Sequence, residues 1–156
     1  PSQSTMVHHE AELAVVIGRF CKDVPRERVA DVILGYTCAN DVTARDLQKA
    51  DGQWARGKGF DTFCPLGPWI QTDIDVSDLG VTAYVADQLR QSGSTKDLIF
   101  SVVDIVSFVS HQMTLLPGDV ILTGTPAGVG PILPGDEVEV SIEGIGSLVN
   151  RVEQAR

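Results

Sequence analysis

The chain has 156 residues, 43% of them hydrophobic, with 21 acidic against 12 basic residues and a formal net charge of −9. This length and apolar share suit one buried core, so a single domain over 1–156 is expected. The acidic balance, the lack of a basic run and the low aromatic content of 6% disfavour nucleic acid and anionic membranes as partners.

No run approaches the ~18 apolar residues of a membrane span, and no signal-peptide pattern opens the chain, so a soluble, cytoplasmic protein is expected. Cys21, Cys38 and Cys64 are odd in number, widely spaced and outside any C-x-x-C pattern, which suits free thiols in a reducing compartment. Cys64, beside Pro65, is a weak candidate nucleophile, since no His stands near it in sequence and packing is the common fate of cysteine.

Residues 13–17 are apolar and largely β-branched, which predicts a buried strand that Gly18 ends. Glu10 and Glu12 stand at its start. Side chains at i and i+2 share a face of a strand, so two carboxylates lie side by side next to an apolar run. They repel unless a cation or a shared proton sits between them. Such a pair is ordinarily a solvated edge, but Asp41, at the end of a second apolar run over 32–39, offers a third oxygen. Three carboxylates without His or Cys form a hard-oxygen site, suited to Mg2+, Mn2+ or Ca2+ rather than zinc.

Between the two strands, Pro25 suits the first turn of a short helix. Good helix formers over 43–48 place Arg45 and Gln48, three apart, on one face of a helical turn near Asp41. Residues 49–59 are polar and glycine-bearing, the composition of a surface loop, with Lys58 near its end. An alternating strand over 81–85 leads to a turn at Ala86-Asp87-Gln88. Ser101 and Asp104 match a capping box, and Ile105, Phe108 and Val109 recur at helical spacing, predicting a helix over 102–112 whose apolar face is core. His111 falls in that helix as a surface or core residue. Two Pro-Gly-Asp turns, 117–119 and 134–136, each lead into a strand. The glycine-rich stretch 123–130 between them lacks the Lys of a P-loop and any GxGxxG; it suits a loop that lends backbone amides and the Thr125 hydroxyl to a substrate carboxylate. Residues 143–146 turn the last hairpin. Many short strands with few short helices favour an α+β, mostly β architecture, a rolled or sandwiched sheet.

Taken together and in order, HEAELAVVIG (9–18), GYTCANDVTARDLQ (35–48), RGKGFDTFCPLGPWI (56–70), LLPGDVILTGTPAGVG (115–130) and LPGDEVEVSIEGIGSLVN (133–150) resemble the catalytic domain of the fumarylacetoacetate hydrolase superfamily. The resemblance implies a β-roll, paired as a homodimer. It implies Glu10, Glu12 and Asp41 as ligands of Mg2+ or Mn2+, with Arg45, Gln48, Lys58 and Thr125 contacting substrate. Arg45 offers a planar fork for a carboxylate and Lys58 a compact positive charge near a developing oxyanion, the two catalytic assignments. Family members reach the first metal-site strand only after a preceding N-terminal stretch, so the chain reads as a catalytic domain lacking that segment. An Asn-Gly hairpin usual in the family is replaced here by Ala86-Asp87.

An ion on the three carboxylates with open positions would let a 2-oxo acid chelate through its carboxylate and keto oxygens, and would polarise that carbonyl. The expected reaction is hydrolysis of a carbon–carbon bond in a 2,4-dioxo acid of the acylpyruvate or fumarylpyruvate type. Decarboxylation of an oxaloacetate-like acid and enol–keto isomerisation on the same site are the alternatives, and an inactive metal-binding module is the alternative of another class. The family commonly activates water with a His and Glu pair in the segment absent here. His9, beside Glu10, faces away from the ligand side in a regular strand, so the general base has no assignment.

Overall fold

The apolar run after Glu12 is an interior strand of the protein, seen in a computed structural model that describes residues 1–154. In chain order the strands are β1 (Val7–His9), β2 (Ala11–Ile17), β3 (Ile33–Asn40), β4 (Thr43–Ala44), β5 (Leu66–Gln71), β6 (Gly80–Val85), β7 (Gln88–Ser94), β8 (Val120–Leu122), β9 (Gly130–Pro131), β10 (Glu137–Ile142) and β11 (Gly146–Arg151). Three helices, α1 (Arg45–Asp51), α2 (Ala55–Lys58) and α3 (Val102–Gln112), and two 3-10 turns complete the described residues. The strands form three antiparallel sheets ordered β5-β3-β2-β8, β11-β10-β6-β7 and β4-β1-β9. The mostly β, α+β expectation holds.

The two four-stranded sheets pack face to face around one core. Ala11, Leu13, Val15 and Ile17 supply one face of β2 to it, and Val140, Ile142 and Val81 meet them from the other sheet. A fully buried Leu, Ile or Val contributes about 1.5–3 kcal/mol through water released from its surface. A smaller cluster of Val42, Val85, Ile132 and Val138 holds the third sheet against β10.

Helix α3 covers the predicted span, with Ser101 and Asp104 making a reciprocal capping box. Its inward face is Val102, Val106 and Val109, whereas Phe108 is 67% exposed. Helical spacing selects the row but not which edge of it meets the core. The 3-10 turn Arg26–Asp31 follows Pro25 as expected, and Ser107 and Ser110 of α3 tie it down by bonds to the backbone of Val24. Both Pro-Gly-Asp turns close with an Asp N–H to a Leu carbonyl three residues back, and Gly118 and Gly135 have the positive φ of a type II turn.

Two local expectations change. Thr43 and Ala44 are not helical; they pair with His8 and Val7, and the helix starts only at Arg45. The stretch 49–59 is not one surface loop, because α1 runs on to Asp51 and α2 forms a further turn that ends on Lys58. Polar composition there reflects short helices with one exposed side, not loss of regular structure. At the β6–β7 turn, Ala86 and Asp87 both have positive φ, 48° and 62°, the conformation that two-residue hairpins ordinarily give to Asn-Gly.

Candidate active site

Glu10 occupies the break between β1 and β2, where the chain leaves one sheet and joins another. Its N–H donates to Asn40 Oδ1 at 2.9 Å, and its carbonyl accepts the Asp41 N–H at 2.8 Å. These two bonds tie the strand start to the end of β3. Asp41 thereby comes beside Glu10 and Glu12, and one carboxylate oxygen from each of the three lies within 4.8 Å of the others. Glu10 and Glu12 are 7% and 4% exposed.

Cations surround this cluster. Arg45, on the first turn of α1, donates through Nη2 to Glu10 Oε1 and through Nη1 to Gln48 Oε1, the latter at 2.7 Å. Lys58, at the end of α2, donates to Glu10 Oε2 at 3.0 Å, to Asp41 Oδ2 and to Thr43 Oγ1 at 3.0 Å. The Trp54 ring lies 5.9 Å from the Lys58 Nζ, centroid to atom. Burial opposes the charge on Lys58, but its hydrogen bonds to Asp41 and Glu10 outweigh it and raise its pKa.

Among the described residues no cation pairs with Glu12. Its Oε2 accepts the Gly124 N–H at 2.6 Å, from the glycine-rich loop after β8. Burial, with the nearby charges of Asp41 and Glu10, outweighs that bond and pushes its carboxyl up to about 7. A buried carboxylate beside two others is electrostatically short of positive charge, which is the condition a divalent cation satisfies. The donor set of three carboxylates fits a hard ion of the Mg2+ or Mn2+ kind.

The Thr125 hydroxyl donates to Ala11 O at 2.8 Å and accepts from Gln91 Nε2 at 2.8 Å. The structure thus brings Glu10, Glu12, Asp41, Arg45, Gln48 and Lys58 into one contiguous set, with Thr125 reaching it through Ala11. His9 points the other way, is fully buried, and bonds Gln91 through Nδ1; burial lowers its pKa. His111 bonds Ser107 O at 2.8 Å on its own helix. Burial, then Asp41 and Glu12, push the Cys64 thiol up, away from the thiolate a nucleophile needs. Asn40 and Gln91 escape a reading by motif, since both act through tertiary hydrogen bonds, and the Gly124 amide, in the loop expected to lend amides to a substrate carboxylate, donates to Glu12 instead. The signal for Gln91 is a polar residue at an inward-facing strand position.

The family model described as fumarylacetoacetate (FAA) hydrolase C-terminal matches residues 1–153. The chain belongs to the fumarylacetoacetate hydrolase family. A protein of Mycobacterium tuberculosis is 56% identical over 155 residues, covering 97% of this chain and 58% of that protein. The chain therefore spans about three fifths of that relative. Among solved structures, 5-carboxymethyl-2-hydroxymuconate delta-isomerase from Mycobacterium smegmatis superposes with a TM-score of 0.97 at 57% identity, over 100% of this chain and 62% of that one. Fumarylpyruvate hydrolase from Pseudomonas aeruginosa, in complex with Mn2+ and pyruvate, superposes with a TM-score of 0.93 at 35% identity, over 99% of this chain and 69% of that one. Members of the family that share this fold are thus named for hydrolysis and for isomerisation of small organic acids. No helix among the described residues is long and apolar enough to cross a membrane.

Proposed function

We propose that this chain is a metal-dependent hydrolase domain that cleaves a carbon–carbon bond in a 2,4-dioxo acid of the acylpyruvate or fumarylpyruvate type. The observation that carries the reading is the carboxylate cluster of Glu10, Glu12 and Asp41 ringed by Arg45 and Lys58. The hydrolase of similar fold supports it, with Mn2+ and pyruvate in its complex. Mg2+ or Mn2+, held by Glu10, Glu12 and Asp41, would supply Lewis-acid polarisation of the substrate's keto group.

The residues of the chain do the rest. Arg45 uses two of its N–H positions on Glu10 and Gln48, and its remaining donors serve a substrate carboxylate. Gln48 holds the guanidinium plane in place. All three ammonium hydrogens of Lys58 are taken by Glu10, Asp41 and Thr43. Lys58 would turn one of these donors toward an oxyanion as the bond breaks, an interaction whose loss costs about 2.7–4 kcal/mol in comparable sites. A homodimer belongs to the same proposal. Ile99 and Phe100, which precede α3, and Phe108 on it are exposed apolar side chains of the kind such a pairing would cover.

A second reading, enol–keto isomerisation, is favoured by the higher identity of the isomerase of similar fold. The test is turnover of acetylpyruvate and oxaloacetate, each with Mn2+ or with chelator, on this chain and on Asp41→Ala. Release of pyruvate from acetylpyruvate that needs metal and falls at least about a thousandfold in Asp41→Ala is the expected result. Metal-dependent enol–keto conversion without pyruvate release would replace the first reading by the second. Metal binding with no turnover of either acid would favour an inactive module.

A further inference from the structure

Gln91 lies on β7 between exposed Arg90 and Ser92, yet is itself 1% exposed. All four hydrogen-bonding positions of its amide are used. Oε1 accepts from the Ala11 N–H and from His9 Nδ1, both at 3.0 Å, while Nε2 donates to Thr125 Oγ1 at 2.8 Å and Pro126 O at 2.7 Å. The orientation of the amide is unambiguous, because the Ala11 N–H only donates and the Pro126 carbonyl only accepts. Everything downstream follows from it. His9 carries its proton on Nδ1, and the Thr125 hydroxyl, having accepted from Gln91, sends its own hydrogen to Ala11 O.

The loop over 123–128 is also pressed directly on β7 at this point. A Cβ on Gly128 would lie 2.1 Å from Arg90 O, and one on Gly93 2.8 Å from the Pro126 side chain. Gln91 therefore sits between two glycine-permitted contacts and bridges the loop to the residue between Glu10 and Glu12. The same loop supplies the Gly124 N–H to Glu12.

We propose that Gln91 is a positioning residue of the candidate centre, fixing the Thr125 hydroxyl and the glycine-rich loop relative to the carboxylates so that the loop meets the substrate in one orientation. This rests on the reading of Glu10, Glu12 and Asp41 as a metal site. The carboxylates have other supports, in Asn40, Asp41 N–H and Gly124 N–H, so metal affinity depends on Gln91 less than substrate affinity does.

The test measures two affinities on the full chain: Mn2+, read by the EPR signal of the free ion, and oxalate on the Mn2+-loaded protein, as a planar dianion that mimics a 2-oxo acid. Gln91→Met keeps the shape and removes every hydrogen bond. Its Mn2+ dissociation constant should stay within about threefold of the parent while that for oxalate rises tenfold or more, the scale of one or two buried hydrogen bonds. Ser107→Ala removes a buried hydroxyl from α3 that bonds Val24 O, and should change neither constant. A merely structural Gln91 would lower the melting temperature and leave oxalate affinity unchanged, which overturns the proposal. If Gln91→Met does not fold, Gln91→Asn, neutral and one methylene too short to span both sides, is read by the same criterion. A parent chain that holds no Mn2+ overturns the metal reading and this proposal with it.

Discussion

The sheet β11-β10-β6-β7 and the strand β2 solve the problem of burial in different ways. Along β10, Val138, Val140 and Ile142 are buried while Glu137 is exposed, and β6 matches it with Val81, Ala83 and Val85. On β6 and β10 one face is wet, so the polar residues there need no buried partner. All seven residues of β2 are buried, Glu12 among them, so each polar group there must be met by another part of the chain. The partners are remote in sequence: Gln91 for the Ala11 N–H and Gly124 for the Glu12 carboxylate, with Asn40 on the Glu10 N–H just before the strand. A half-wet sheet is specified by alternation, whereas a doubly buried strand is specified by its satisfied polar groups.

The contrast can be broken on either side. The largest effect on stability is expected from the alternating sheet: Ile142→Ala removes a side chain that is 1% exposed and should cost about 2–5 kcal/mol in a urea titration. Its Mn2+ affinity should match the parent, since no carboxylate depends on it; a tenfold loss would mean that the two regions are energetically one.

On the doubly buried side, Glu12 sets a pH dependence. Its pKa rises from 4.5 unfolded to about 7 folded, so between those values the folded chain keeps a proton that the unfolded chain releases. Stability without metal should therefore fall by up to ~3 kcal/mol as pH rises through that window. Melting temperatures at pH 5 and pH 8 in chelator should show the fall, Glu12→Gln should flatten it, and Mn2+ at pH 8 should restore the loss. A metal-free chain equally stable at both values would count against a cation-deficient cluster.

The smallest effect is a gain. Asp87 has a φ of 62° in the β6–β7 turn, which only glycine adopts without strain. Asp87→Gly should raise stability by about 0.5–1 kcal/mol and leave Mn2+ binding unchanged. A decrease would show that the Asp side chain contributes more than its backbone strain costs.

Much of the fold is legible before any coordinates. The strand after Glu12, the helix Val102–Gln112 with its capping box, and both Pro-Gly-Asp turns depend on interactions within a few residues, so local spacing suffices. The strand pairing of Thr43 and Ala44 is not legible, because β4 exists only through β1. Nor does helical periodicity disclose that Phe108 faces outward, since that depends on where the sheets end. Within the site, the approach of Glu10 to Glu12 is readable from i, i+2 spacing. The closeness of Asp41 to both follows from antiparallel pairing of β2 with β3.

By itself, then, the sequence determined which residues carry charge at the ends of apolar runs, where the chain turns, and which family it resembles, because these are properties of short segments and their order. Only the tertiary structure decided how those charges are answered. Lys58 between Glu10 and Asp41, Gly124 on Glu12, and Gln91 between Ala11 and Thr125 are meetings of groups up to 112 residues apart. Hydrogen bonds and ion pairs act over a few ångströms, so no residue type or spacing encodes such a meeting until the sheets have packed.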